Sequence, residues 1–270
     1  MHTMNILPLF EFDAFNLLSS LLIVFGVQVF FFAFAAAFQT DKLTDFTYGM
    51  TFVLMAVLFL LQGATIGQIL LCGAVIVWGL RLAGYLFLRI LKIKHDERFD
   101  GRRENFLRFA AFWFFQGAVI WVALLPVTIA MSAGNWTPTV LSYSGLALFL
   151  IGLILETIAD SQKFAFRNNP ANRGKWIESG LWKYSRYPNY FGEIVLWWGI
   201  FLMATPALSG LAWLSVAGPV CITWILIKVS GIPLLEESHQ RKYGGNPQWT
   251  AYVRRTSLLI PMPQRAEGRV

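Results

Sequence analysis

The sequence predicts an all-α protein: a polytopic transmembrane bundle, counted as seven helices, with the N-terminus outside and the C-terminus cytoplasmic. Three observations predict it. Of the 270 residues 56% are hydrophobic and 14% charged, where a soluble domain carries about 25% charged residues. Several apolar runs approach the roughly 20 residues a helix needs to cross a bilayer. Lys and Arg gather in alternate connections between those runs, as they do on the cytoplasmic face of membrane proteins. The net charge of +7 is therefore read as orientation, and no nucleic-acid partner is expected.

The first span is expected over roughly Phe15 to Phe38, before the polar stretch 39–45. The second runs from about Tyr48 to Leu61, and Gln62 to Gly67 turns the chain with small residues. The third, Gln68 to about Ile90, carries Arg81 and leads into a dense basic loop from Lys92 to Arg108. The fourth, Phe109 to Met131, exits through residues 132–138, which hold no basic residue. The fifth, Leu141 to about Ile158, ends at Asp160. A sixth spans Ile194 to Ala204 and a seventh Leu211 to about Ile227. The second span is short, so six crossings with a re-entrant pair is the alternative. No repeat or linker divides the chain. One integral domain over residues 1–270 is expected, with 228–270 a cytoplasmic tail docked on the bundle through Trp249, Tyr252 and Leu258 to Ile260.

The chain is organised around Tyr184-Ser-Arg-Tyr-Pro-Asn-Tyr-Phe-Gly-Glu193. Proline is tolerated in the first turn of a helix, so a helix is expected to begin at Pro188. Asn189 and Glu193 then share one face. On the fifth span Glu156 and Asp160 are also four apart, with Arg167 further along the same face if the helix continues. A carboxylate inside an apolar segment is costly unless it is paired or lines a wet cavity. The groups are read as a grip: carboxylates toward hydroxyls or an amide, guanidinium toward phosphate. The competing reading is that they decorate a helix end at the headgroups. The tail adds Glu236, Glu237, His239, Arg241, Lys242, Tyr243, Trp249 and Tyr252. Interleaved cations and aromatic rings suit a large polyanionic cofactor with a stackable ring, or anionic lipid headgroups.

Absences narrow the chemistry. The sequence contains no G-x-G-x-x-G or G-x-x-x-x-G-K, so neither nucleotide-binding loop is present. His2, His95 and His239 are scattered without metal-ligand spacing, and no metal is expected. Cys72 and Cys221 lie in apolar runs and are read as packing residues. A transporter places polar residues near mid-membrane, whereas here they crowd one face; Arg81 is the exception.

Gly180 to Tyr184, followed by Ser185-Arg-Tyr-Pro-Asn-Tyr-Phe-Gly-Glu193, resembles the signature of the steroid 5α-reductase-like membrane proteins, and in particular their bacterial branch. The likeness runs from about Gly145 to Pro261. Sterol reductases and isoprenylcysteine carboxyl methyltransferases share a related Arg-His-Pro-x-Tyr core, and this chain has Tyr187 in place of that histidine. Glu193 after Phe191-Gly192 speaks for the reductase branch. The resemblance implies a seven-helix bundle that holds NADPH at its cytoplasmic side and reduces an activated C=C bond of a lipid such as a 3-oxo-Δ4 steroid. It implies cofactor contacts from Asp160, Arg167, Tyr184, Arg186, Asn189 and Glu193, from Glu156 where the family often has asparagine, and from Glu236, Arg241 and Tyr252 in the tail. The steroid enzymes carry a Gln-Glu pair on the second span and a tyrosine on the third. Here Gln62 is followed by Gly63, and Gln62 and Tyr85 are the catalytic candidates for donating to the substrate oxygen. A lipid-soluble substrate, membrane lipids as surroundings, no obligate protein partner and a bacterial inner-membrane location complete the expectation. An S-adenosylmethionine-dependent methyltransferase and a non-enzymatic lipid-binding protein are the alternatives.

Overall fold

In the computed structural model, residues 16–93 and 99–265 are described. The expected loop residues Lys94, His95, Asp96, Glu97 and Arg98, and also His2, lie outside them. Among the described residues the regular structure is helical: α1 (Leu17–Ala37), α2 (Thr44–Leu60), α3 (Ile66–Ile93), α4 (Phe106–Ser132), α5 (Val140–Asn168), α6 (Pro188–Ala204), α7 (Ala217–Trp224), α8 (Ile232–Tyr243) and α9 (Pro247–Arg255). Among the described residues six runs are long and apolar enough to cross a membrane: Leu17–Ala37, Ile66–Lys92, Phe106–Ser132, Val140–Asn168, Pro188–Ala207 and Gly210–Tyr243. The chain is an integral membrane protein. α2 is apolar but has 17 residues, about 25 Å at 1.5 Å per residue, slightly short of a full crossing.

Two differences from the expected spans matter for the site. α5 does not stop near Ile158 but continues to Asn168, so Glu156, Asp160 and Arg167 share one helix. α6 starts at Pro188, which puts the motif's amide and carboxylate in its first two turns. The last apolar run is also irregular. A 3₁₀ stretch Gly210–Val216 precedes α7, and a π turn Ile225–Val229 ends it. Gly210–Tyr243 has 34 residues, more than a bilayer requires. Its apolar part ends at the π turn, and the polar α8 lies beyond the span, after Ser230–Gly231.

The backbone forms two compact units, residues 1–146 with 200–221, and residues 147–199 with 222–270. In the first unit α2 packs on α3, and α1 on α4. Gly49 brings α2 against α3: a Cβ there would lie 2.9 Å from the Ala83 Cβ and 3.0 Å from the Gly79 carbonyl oxygen. Small residues allow such backbone approach between helices in lipid. Buried amides tie three helices together. The Gln116 Nε2 donates to Gln28 Oε1 at 2.9 Å, and Gln28 Nε2 donates to the Thr51 hydroxyl at 3.1 Å. Gln68 closes one end of the unit. Its oxygen accepts from Thr65 N–H at 2.8 Å, and its nitrogen donates to the carbonyls of Met131 at 3.3 Å and Gly134 at 3.1 Å. At another point Arg103 is ion-paired to buried Asp41 at 3.4 Å. A buried polar group without a partner costs several kcal/mol or more, so these pairings hold the helices in register.

Candidate functional site

The second unit contains the polar cluster. α5 and α6 meet where both carry glycine. A Cβ on Gly192 would sit 2.6 Å from the Glu156 backbone nitrogen and 2.7 Å from the Gly152 carbonyl oxygen; a Cβ on Gly152 would sit 2.5 Å from the Gly192 oxygen. Backbone-to-backbone contact at this level draws the polar faces of both helices together. Glu156 and Asp160 are 2% and 5% exposed. The Asn189 amide nitrogen donates to Asp160 Oδ1 at 3.2 Å. Asn189 Oδ1 is buried and has no hydrogen-bond donor among the described residues. Glu193, one turn on, is half-buried.

The polar tail closes on the start of α6. Glu236 accepts from Arg186 at 2.5 Å and from the Tyr187 hydroxyl at 2.6 Å. The same hydroxyl lies 3.4 Å from His239 Nδ1. The Tyr187 ring is fully buried, stacked on Tyr190 with centroids 5.7 Å apart and near-parallel to His239 at 6.4 Å. From His239 the aromatic contacts run on through Trp249 at 5.4 Å to Tyr252 at 5.6 Å and Trp176 at 5.4 Å. Tyr252 donates its hydroxyl hydrogen to the Trp182 carbonyl at 2.8 Å, and the Trp182 indole donates to the Ala159 carbonyl at 3.1 Å. Lys163 lies over the Trp182 ring, 4.9 Å from its centroid, a cation–π distance.

Burial and neighbouring charge set the protonation states. Burial, with Glu236 as the hydrogen-bond acceptor, pushes the Tyr187 phenol well above its ordinary value, so Tyr187 keeps its proton. Burial likewise raises Tyr252. His239 is pushed down to about 4, first by burial and then by the positive charge of Lys163, against which Glu236 acts and to which Arg167 and Lys242 add. The imidazole is neutral at pH 7. Three cations, Lys163, Arg167 and Lys242, thus act on the neutral His239 ring, and a fourth, Arg186, on Tyr187.

The expected site residues divide accordingly. Glu156, Asp160 and Asn189 are brought together where α5 meets α6. Arg186 and Glu236 meet each other, so both are engaged with protein. Tyr252 is a buried strut of the tail. Arg167 is exposed on α5, and its charge reaches His239. Tyr184 is 42% exposed, and Arg241 is exposed and ion-paired to Glu237 at 3.5 Å. In the first unit Gln62 is exposed in the turn after α2. Tyr85 is half-buried on α3 under the Arg81 guanidinium, 5.7 Å from its ring centroid. Some 20 residues of α3 separate that ring from the turn, about 30 Å of helix. Tyr187 and His239 are not among the cofactor contacts that the resemblance implies. Their signal was present: His239 follows Glu236 by three residues on one helix face, and Tyr187 occupies the motif's histidine position. No group of three or more His, Cys, Asp or Glu side chains is placed to hold a metal ion among the described residues.

A family model for DUF1295, described as a protein of unknown function, matches residues 31–256. The chain belongs to this family. The DUF1295 chain is steroid 5α-reductase-like. Over 132 residues it is 26% identical to 3-oxo-5-alpha-steroid 4-dehydrogenase 1 of Rattus norvegicus, covering 49% of this chain and 46% of that protein. Over 69 residues it is 29% identical to the probable O-methyltransferase ustE of Ustilaginoidea virens, covering 26% of this chain and 24% of that protein. The DUF1295 chain thus spans less than half the length of these curated relatives. No solved structure matches it.

Proposed function

We propose that this protein is a membrane reductase that uses NADPH to reduce an activated C=C bond, an enone, in a steroid-like or other lipid substrate. The observation that carries the reading is the Asp160–Asn189 pair where α5 meets α6, with the buried Asn189 carbonyl oxygen lacking a donor among the described residues. A buried acceptor without a donor is costly, and an amide or hydroxyl of a bound cofactor is the partner it suits. The surrounding residues fit a polyanion carrying a flat ring. Lys163, Arg167 and Lys242 supply positive charge, Glu156 and Asp160 accept from hydroxyls, and Tyr187, Tyr190 and His239 offer stacked rings. The steroid 5α-reductase-like relationship points to the same chemistry.

NADPH, when bound, supplies a hydride to the β-carbon of the enone. The protein's share is to orient and to hold protons. Asn189 fixes Asp160 as an acceptor. Glu236 neutralises Arg186 and keeps Tyr187 protonated. The neutral His239 adds no charge where a nicotinamide would stack. Tyr85, or alternatively Gln62, is proposed to donate a hydrogen bond to the substrate oxygen as enolate charge develops. Arg241 and Tyr184, exposed, are proposed contacts at the phosphate end.

Purified protein heated with NADPH, with S-adenosylmethionine or with neither tests the reading. A ligand at about 100 times its Kd stabilises by about 2.7 kcal/mol, so NADPH is expected to raise Tm by several degrees and S-adenosylmethionine to leave it unchanged. Asn189→Ala and Glu193→Ala should each lose most of the NADPH shift without unfolding the bundle, Asn189→Ala with some fall in the ligand-free Tm because Asp160 loses a donor. Stabilisation by S-adenosylmethionine alone would favour the methyltransferase reading, and stabilisation by neither a lipid-binding role.

A further inference from the structure

We infer that the segment Thr256–Gln264 is an interfacial anchor, holding Leu258, Ile260 and Met262 in the acyl–headgroup boundary of the leaflet at which α6 enters the membrane. The inference rests on the chain's spanning a membrane and is independent of the reaction proposed above.

The segment is strapped to the motif by backbone bonds. The Arg186 N–H donates to the Ser257 carbonyl at 2.8 Å, the Met262 N–H donates to the Tyr184 carbonyl at 3.0 Å, and the buried Ser185 hydroxyl donates to the Leu259 carbonyl at 2.7 Å. Exposure alternates along the strap from Ser257 to Met262. Ser257, Leu259 and Pro261 are half-buried. Leu258, Ile260 and Met262 are 39%, 51% and 52% exposed. Pro261 and Pro263 have no N–H, so the strap cannot donate at those positions to a further strand.

Two observations identify the occupant of the exposed face. The strap is bonded to Tyr184, Ser185 and Arg186, two to four residues before Pro188, where the apolar run Pro188–Ala207 begins. It therefore stands at the level where the chain passes from water into hydrocarbon. Around it Lys183, Arg254 and Arg265 are exposed, beside Tyr184, a residue type enriched at that boundary. Alternating apolar side chains flanked by cations are the composition of an interfacial segment, and the cations favour anionic headgroups.

The test uses the full chain in phosphatidylcholine vesicles with and without phosphatidylglycerol. Spin labels are placed by Leu258→Cys, Ile260→Cys or Met262→Cys in a chain carrying Cys72→Ala and Cys221→Ala, with Gln240→Cys on α8 as the aqueous control. The ratio of collisions with oxygen to collisions with a water-soluble nickel complex is expected to be several-fold higher at the three strap positions than at the control, and to rise further with phosphatidylglycerol. Control-like ratios at all three positions, or dipolar broadening between copies, would overturn the inference. A second measurement keeps Met262. In the same vesicles its oxidation by aqueous peroxide should be several-fold faster in L258S/I260S than in the parent chain, and equal rates would count against the anchor.

Discussion

Glu236 serves two groups on the motif and lies on α8, not on α5, the helix that carries the buried carboxylates Glu156 and Asp160. Its side chain is one-third exposed while Arg186 is largely buried, so the loss on Glu236→Gln falls mainly on a guanidinium left without its counter-charge. A destabilisation of about 1 kcal/mol is expected after allowance for solvent screening, read as a lower Tm and as faster proteolysis of the tail. Tyr187→Phe removes one hydrogen bond and should cost less. His239 makes this docking depend on pH. Its folded value of about 4 lies below the ordinary value near 6.5, so the unfolded chain binds the proton more readily. The stability held by the neutral ring is present above about pH 6.5 and is lost as pH falls toward 4. Tm against pH should therefore drop over that window in the parent and drop less in His239→Phe. A parent profile that is flat from pH 7 to 4.5 would contradict the assignment. Tyr85→Phe is expected to lower kcat at least tenfold, as loss of an oxyanion donor does, with the NADPH-induced Tm shift intact.

At the scale of elements, the contact between α5 and α6 is the step on which the site depends. Gly192→Ala would press a methyl group to 2.6 Å from the Glu156 backbone nitrogen, and backbone on backbone has no flexible side chain to yield. A cost of about 1–3 kcal/mol is expected, as for overpacked cores, with a parallel loss of the NADPH-induced Tm shift because Asp160 and Asn189 move apart. Gly73→Ala, where a Cβ meets open space, is the control and should be close to neutral. Much of this was legible in the sequence. Pro188 marked a helix start, the spacings 156/160 and 189/193 marked two faces, and apolar run length marked the spans. The end of α5 was not legible, because the apolar run breaks at Asp160 and Ser161 to Lys163, while the helix beyond is tied by tertiary bonds such as that from the Leu181 N–H to Gln162 Oε1 at 2.9 Å. Nor was the Arg186–Glu236 pair, made across 50 residues, since sequence separation of that size carries no local signal.

For the whole molecule, the open question of topology has a direct measurement. If α2 crosses, the termini lie on opposite sides; if it re-enters, they lie on the same side. Lys and Arg follow spans one, three, five and seven, so a fluorescent protein fused to the C-terminus is expected to be bright in the cytoplasm, and an N-terminal reporter to face the other side. Reporters on one side would reduce the count to six. The bond from Ser185 to Leu259 carries one more consequence, which concerns synthesis. The loop that starts α6 takes its partner from backbone 74 residues later, so the ribosome must extend the chain past Leu259 before that loop can settle. Until then α5 and α6 stand in the bilayer without the strap, and a translation arrest anywhere before that point leaves the start of α6 without its partner.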